Sequence, residues 1–269
     1  MTLIIVVPTV AGLIIGADSR LTLSGAGWTA ACDNVFKIAE VEGVERTAIF
    51  VAGYSTVWDL RNVPPENLCQ HVGSNKPKFS ALDLLAAAVR TAHNMQELSA
   101  AVVRETSRYV SEHPNDFVRQ SGMQLYQAAV ARYEVATQTS SITSFAVNLD
   151  ISGAAVRGEL KTETFDLDSE FRLSLFGEAS YLEQAVFAGP GAQFLTERYG
   201  RFRSTMSTIK AAEPSLAADF VVDLIEAASR TTALIPTETG IGGPVDVLLV
   251  NKDATPKRLA WKLLPSGGP

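Results

Sequence analysis

Apolar positions at the start of this chain run together instead of alternating. Leu3 to Val7 and Leu13 to Ala17 are two nearly continuous apolar segments, rich in β-branched residues, on either side of Pro8-Thr9-Val10-Ala11-Gly12. β-Branched side chains are restricted in helices and pack well on a pleated surface, and the residues between are turn formers, so the pattern predicts a β-hairpin. Unbroken apolarity predicts that both faces of that hairpin are covered. A turn centred on Val10 would set Thr2 opposite Asp18. After a polar loop from Thr22 to Asp33, a third strand is expected over Val35 to Val41 and a fourth over Arg46 to Gly53.

The stretch from Leu60 to Lys78, with three prolines, reads as a loop. Ser80 and Asp83 then open a helix, and a second follows from Gln96 to about Val110. Further strands are expected at Leu125 to Tyr133, Ile142 to Leu149, Phe171 to Phe176, Val245 to Val250 and Arg258 to Leu263. Further helices are expected at Ser180 to Val186, Ala192 to Tyr199 and Ser215 to Ala228, with a frayed tail within residues 260–269. Strands and helices come in segregated runs, which predicts an α+β fold: stacked sheets with helices outside, in one domain over residues 1–269.

Composition narrows the function. A formal charge of −6 and the absence of a basic stripe argue against nucleic acid as a partner. The apolar N-terminus has no Lys or Arg before Arg20 and is broken at Pro8-Thr9 and Gly12, so it reads as core strand and neither as a signal peptide nor as a membrane span. Cys32 and Cys69 lie far apart and form no CxxC pair, which argues against a disulfide framework or a zinc site and favours cytoplasmic residence. The three histidines share no metal-ligand spacing, and no cofactor is implied.

The candidate chemistry lies at the start of the chain. Removal of Met1 would leave Thr2 with both a hydroxyl nucleophile and an α-amine that titrates at about pH 7.7–8.0, a base for its own hydroxyl. Asp18, a carboxylate closing an apolar strand, needs a cation or donors if it is buried. Lys37 sits in an apolar stretch; strand statistics favour a solvent-facing lysine, whereas burial beside Asp18 would put a positive charge near Thr2.

The motifs Thr2-Leu3-Ile4, Gly16-Ala17-Asp18-Ser19-Arg20, Lys37-Ile38 and Phe50-Val51-Ala52-Gly53 resemble those of proteasome β-subunits and the related bacterial HslV peptidases. The resemblance implies a four-layer αββα sandwich of the N-terminal-nucleophile (Ntn) hydrolase type. It also implies a threonine-type endopeptidase in which Thr2 is the nucleophile, Asp18 and Lys37 tune it, and the Gly53 N–H forms the oxyanion hole. Arg20 would anchor Asp18, Ser180 would support the site from a Gly-Ser-Gly-Ser-like turn, and Val51 would line an apolar specificity pocket. Polypeptide substrates, homo-oligomeric rings and a ring ATPase are the partners it implies. Glu178 and Ala179 stand where the family has Ser and Gly, and Arg230-Thr231-Thr232 replaces its Arg-Asp-x-x-Ser-Gly, with Glu238 or Thr239 as substitutes. These departures keep two alternatives open, an inactive ring-forming scaffold of the same fold and an Ntn amidase acting on small molecules.

Overall fold

The computed structural model describes residues 2–25, 28–117, 123–150, 154–166, 173–182, 210–233 and 240–260. Within these, the expected hairpin is β1 (Leu3–Thr9) and β2 (Gly12–Asp18). It lies at the centre of a five-stranded sheet ordered β12-β1-β2-β13-β14, where β12 is Ser174–Gly177, β13 is Val245–Val250 and β14 is Lys257–Ala260. A second five-stranded sheet is ordered β11-β10-β9-β6-β5. Its strands are β5 (Ile38–Glu40), β6 (Thr47–Gly53), β9 (Gln124–Glu134), β10 (Thr139–Leu149) and β11 (Ala155–Phe165). Every pairing in both sheets is antiparallel. Two small pairs complete the strands: β3 (Leu21–Gly25) with β4 (Trp28–Cys32), and β7 (Thr56–Val57) with β8 (Phe79–Ser80).

The unbroken apolarity of the hairpin has a direct structural cause. Ile4, Val6, Leu13, Ile15 and Ala17 point into a core shared with Ile38, Phe50 and Ala129 of the second sheet. Leu3, Ile5, Val7 and Ile14 point the other way, onto a helix over Pro214–Thr232. Each such side chain, fully buried, contributes about 1.5–3 kcal/mol before conformational entropy is set against it. That helix starts at Pro214, which its first turn tolerates because no intrahelical N–H is needed there. Its buried positions Ala217, Val221, Leu224 and Ala228 recur at helical spacing. It approaches β2 closely at Gly16, where a Cβ would stand 2.2 Å from Val221 Cγ1.

On the far side of the second sheet pack two helices, Ala81–Thr91 and Met95–Glu112. Ser80 caps the first, accepting from the Asp83 N–H at 3.1 Å, as the sequence predicts. Asn94 caps the second, accepting from the Glu97 N–H, and the Glu97 carboxylate reaches back to accept from the His93 N–H. In chain order the helices are α1 (Leu68–Ser74), α2 and α3 as just given, a single turn α4 (Ala179–Tyr181), and α5 (Pro214–Thr232). No described helix is long and apolar enough to cross a membrane.

Five sequence expectations are corrected. The hairpin turn has two residues, Val10 and Ala11, so Thr9 pairs with Gly12 and the register moves by one. Gly12 takes φ +134° and the Thr9 hydroxyl closes the turn onto its carbonyl, a geometry no pattern of apolar residues reveals. The polar loop from Thr22 to Asp33 holds the β3–β4 ladder. The loop from Leu60 to Lys78 holds α1. Strand β11, absent from the sequence reading, is an outer strand with an exposed polar composition and so lacks apolar alternation. Finally, Cys32 and Cys69 form a disulfide, with Cα atoms 5.0 Å apart. The cysteine argument for cytoplasmic residence is lost with that pairing. The expected helices beyond Leu182 and at Ala192 to Tyr199, the end of the last strand and the tail lie outside the described residues, as do Met1, Glu238 and Thr239.

Candidate active site

Asp18 ends β2 opposite Val245 and is fully buried. One carboxylate oxygen accepts from the Leu3 N–H at 2.8 Å and from Lys37 Nζ at 2.8 Å. The other accepts from the Arg20 N–H at 3.3 Å and the Gly242 N–H at 3.2 Å. Four donors occupy the lone-pair directions of the anion, which is how a charge survives at this depth. Asp18 therefore meets the hairpin through Leu3 and not through Thr2, as the corrected register requires.

Lys37 is buried, contrary to what strand statistics favour. It lies one residue before β5, and its carbonyl accepts from the Val51 N–H at 3.0 Å, so it is fixed alongside β6. Burial lowers the pKa of its ammonium below the ordinary lysine range; attraction to Asp18 offsets this only in part. Desolvation outweighs a direct ion pair here, and the group is therefore closer to giving up its proton than an exposed lysine.

The Arg20 guanidinium does not anchor Asp18. It forms a bidentate pair with Asp33, Nε at 2.7 Å and Nη2 at 2.9 Å, and only its backbone N–H reaches Asp18. The Ser19 hydroxyl donates to the Asp33 carbonyl, and the Ser19 N–H donates to the Gly242 carbonyl. The Asp18-Ser19-Arg20 run thus ties the hairpin to the segment leading to Lys37 and to the loop before β13. That loop needs its glycines. A Cβ at Gly242 would stand 2.5 Å from Arg20 Cζ, and Gly243, at φ +76°, has Ser19 Oγ 2.6 Å from where its own would lie.

Thr2 is 5% exposed, and its hydroxyl has no hydrogen-bond partner among the described residues. Its carbonyl accepts from the Glu178 N–H at 2.8 Å, which extends the β1–β12 register beyond Leu3 opposite Gly177. Gly177 adopts φ +81°, and a Cβ there would stand 2.0 Å from the Thr2 carbonyl oxygen. Gly53 ends β6 at φ +111°, exposed, with Leu125 O 2.6 Å from where a Cβ would lie. Thr2, Lys37, Gly53 and Glu178 line one cleft of about 810 Å³, with Leu21, Tyr54 and Trp58 along its wall. Tyr54 is held there by its hydroxyl, which donates to the Asp116 carbonyl at 3.1 Å.

Two expected residues lie elsewhere. Val51 is buried among Ile49, Leu85 and Tyr126 under the helices α2 and α3, on the face of β6 opposite Phe50 and Ala52, and does not line the cleft. Ser180 is exposed on α4, and it is Glu178 that lines the cleft. Sequence reasoning missed Asp33 as the Arg20 partner and Gly242 as a donor to Asp18. The Gly242-Gly243 pair was the available signal, since adjacent glycines mark a close backbone approach.

No family model matches the chain, and no curated protein matches it. Among solved structures, an Anbu (Gly-1) mutant from Hyphomicrobium sp. strain MC1 is similar at a TM-score of 0.46 and 14% identity, covering 97% of this chain and 88% of that one. Thiobacillus denitrificans BPH in complex with epoxomicin is similar at a TM-score of 0.40 and 14% identity, covering 93% and 100%. The same BPH without that compound gives 0.38 and 14%, covering 94% and 100%.

Proposed function

We propose that this chain is a threonine-dependent amide-bond hydrolase: one domain, layered αββα, whose nucleophile is Thr2 after removal of Met1. One observation carries the reading. Thr2, its hydroxyl without a hydrogen-bond partner among the described residues, lines the same cleft as Lys37, itself held by the buried Asp18, and as the exposed Gly53. Thr2 Oγ attacks the substrate carbonyl carbon, and its proton passes to the α-amine, with Lys37 assisting. The Gly53 N–H stabilises the oxyanion that forms. Collapse expels the amine product with a proton and leaves an ester on Thr2, which water hydrolyses with the α-amine as base. Polypeptide substrates, assembly into homo-oligomeric rings and a ring ATPase as partner belong to the same proposal.

Intact and N-terminal peptide mass spectra, with and without an electrophile that acylates N-terminal threonine, test it directly. A mature chain beginning at Thr2 and carrying one adduct on that residue is the expected result. Retained Met1, or a free Thr2 that never reacts, would instead favour the inactive scaffold.

Lys37→Arg gives a second measurement. Arginine keeps a cation beside Asp18 but cannot release a proton at accessible pH. The turnover number is expected to fall by about 10²–10⁴-fold while the chain stays folded. A variant with unchanged turnover would remove Lys37 from the proton path.

A further inference from the structure

The Cys32–Cys69 disulfide joins the end of β4 to the first turn of α1 across a sequence separation of 37. Lys37, Gly53 and Trp58 all lie within the segment it closes. Around it Leu23, Leu68 and Val72 form a small buried cluster separate from the three large cores, with Leu21, Val35, Trp58 and Leu60 packed against it. Five of these residues, Leu21, Leu23, Val35, Trp58 and Leu60, also line the cleft that holds Thr2. One wall of the cleft therefore rests on a cluster with few buried residues and one covalent cross-link. Clusters of this size open locally at low free energy, and a cross-link that shortens the free loop opposes the opening.

We propose that this disulfide is a redox latch on the cleft wall. Oxidised, it holds the β3–β4 hairpin and α1 together against Trp58 and Leu60; reduced by a small dithiol, it lets that wall open while the two large sheets stay intact. Cys69 is partly exposed and Cys32 is 1% exposed, so the reductant reaches the Cys69 sulfur first. Its thiolate bonds to Cys69 Sγ, the Cys32–Cys69 bond breaks, and Cys32 leaves as a thiolate that takes up a proton. The second thiol of the reductant then attacks the mixed disulfide and releases Cys69 as a thiol. Two electrons pass to the protein, and the dithiol becomes a cyclic disulfide.

The consequence for substrate rests on the hydrolase reading, but the latch is tested independently of it. Free thiols counted in the denatured full-length chain should number none before treatment and two after, as the single disulfide requires. Hydrogen exchange followed by mass spectrometry should then show amides of residues 21–25, 28–32 and 68–74 losing about tenfold protection on reduction, with β1 and β2 unchanged. Cys32→Ser and Cys69→Ser should each exchange like the reduced chain and ignore the reductant. Two free thiols at the outset, or full reduction with unchanged exchange in these segments, would overturn the latch. In an active enzyme KM should rise several-fold on reduction, with a smaller change in turnover. Absence of peptidase activity in both forms would count against the hydrolase reading, while exchange alone would still decide the latch.

Discussion

Thr2→Ala is expected to bring amide hydrolysis down by about 10³-fold or more, to the level left by binding and oxyanion stabilisation without a nucleophile. The fold should tolerate the change, with unfolding free energy altered by no more than about 1 kcal/mol. The reason is specific to this site: the Thr2 hydroxyl makes no hydrogen bond among the described residues, and the residue is tied in through its carbonyl, which alanine retains. Thr2→Ser, which keeps the hydroxyl, should retain measurable turnover. Rates measured on a peptide substrate, beside chemical denaturation of each variant, make the comparison. Activity in Thr2→Ala comparable to the parent would end the case for Thr2.

Asp18→Ala should produce the largest loss of stability, about 3–5 kcal/mol, because it strands a buried ammonium as well as three backbone N–H groups. The stranded groups are Lys37 Nζ and the N–H groups of Leu3, Arg20 and Gly242. A double-mutant cycle separates the two causes. If the stranded lysine dominates, Asp18→Ala should cost markedly less in a Lys37→Met background. If the cost is the same in both backgrounds, the backbone donors are what Asp18 serves, and the ion pair adds little to the fold. Either way the loop before β13 should lose protection from hydrogen exchange, since Gly242 is held to Asp18 from 224 positions away in sequence.

How much of this could be read from residues alone follows the range of the forces involved. Residue pattern was enough for the β1–β2 hairpin, the cap at Ser80, strand β13 and most of α5. Each is encoded by neighbouring residues: β-branched runs beside a turn, a hydroxyl three positions from an N–H, apolar positions at helical spacing. It also brought Thr2, Asp18 and Lys37 forward together, and the family resemblance added Gly53. That Thr2, Lys37 and Gly53 meet at one cleft, with Lys37 turned inward onto the buried Asp18, was decided by tertiary structure, because desolvation and ion pairing depend on what covers a side chain. The same holds for the single-residue register shift, set by one backbone angle at Gly12. Arg20 turning to Asp33, Val51 turning under the helices, and Cys32 meeting Cys69 depend on segments that become neighbours only when the chain folds. Hydrophobic periodicity records which face of an element is covered; it carries no information about which distant element covers it, and that choice placed the cleft wall and its disulfide.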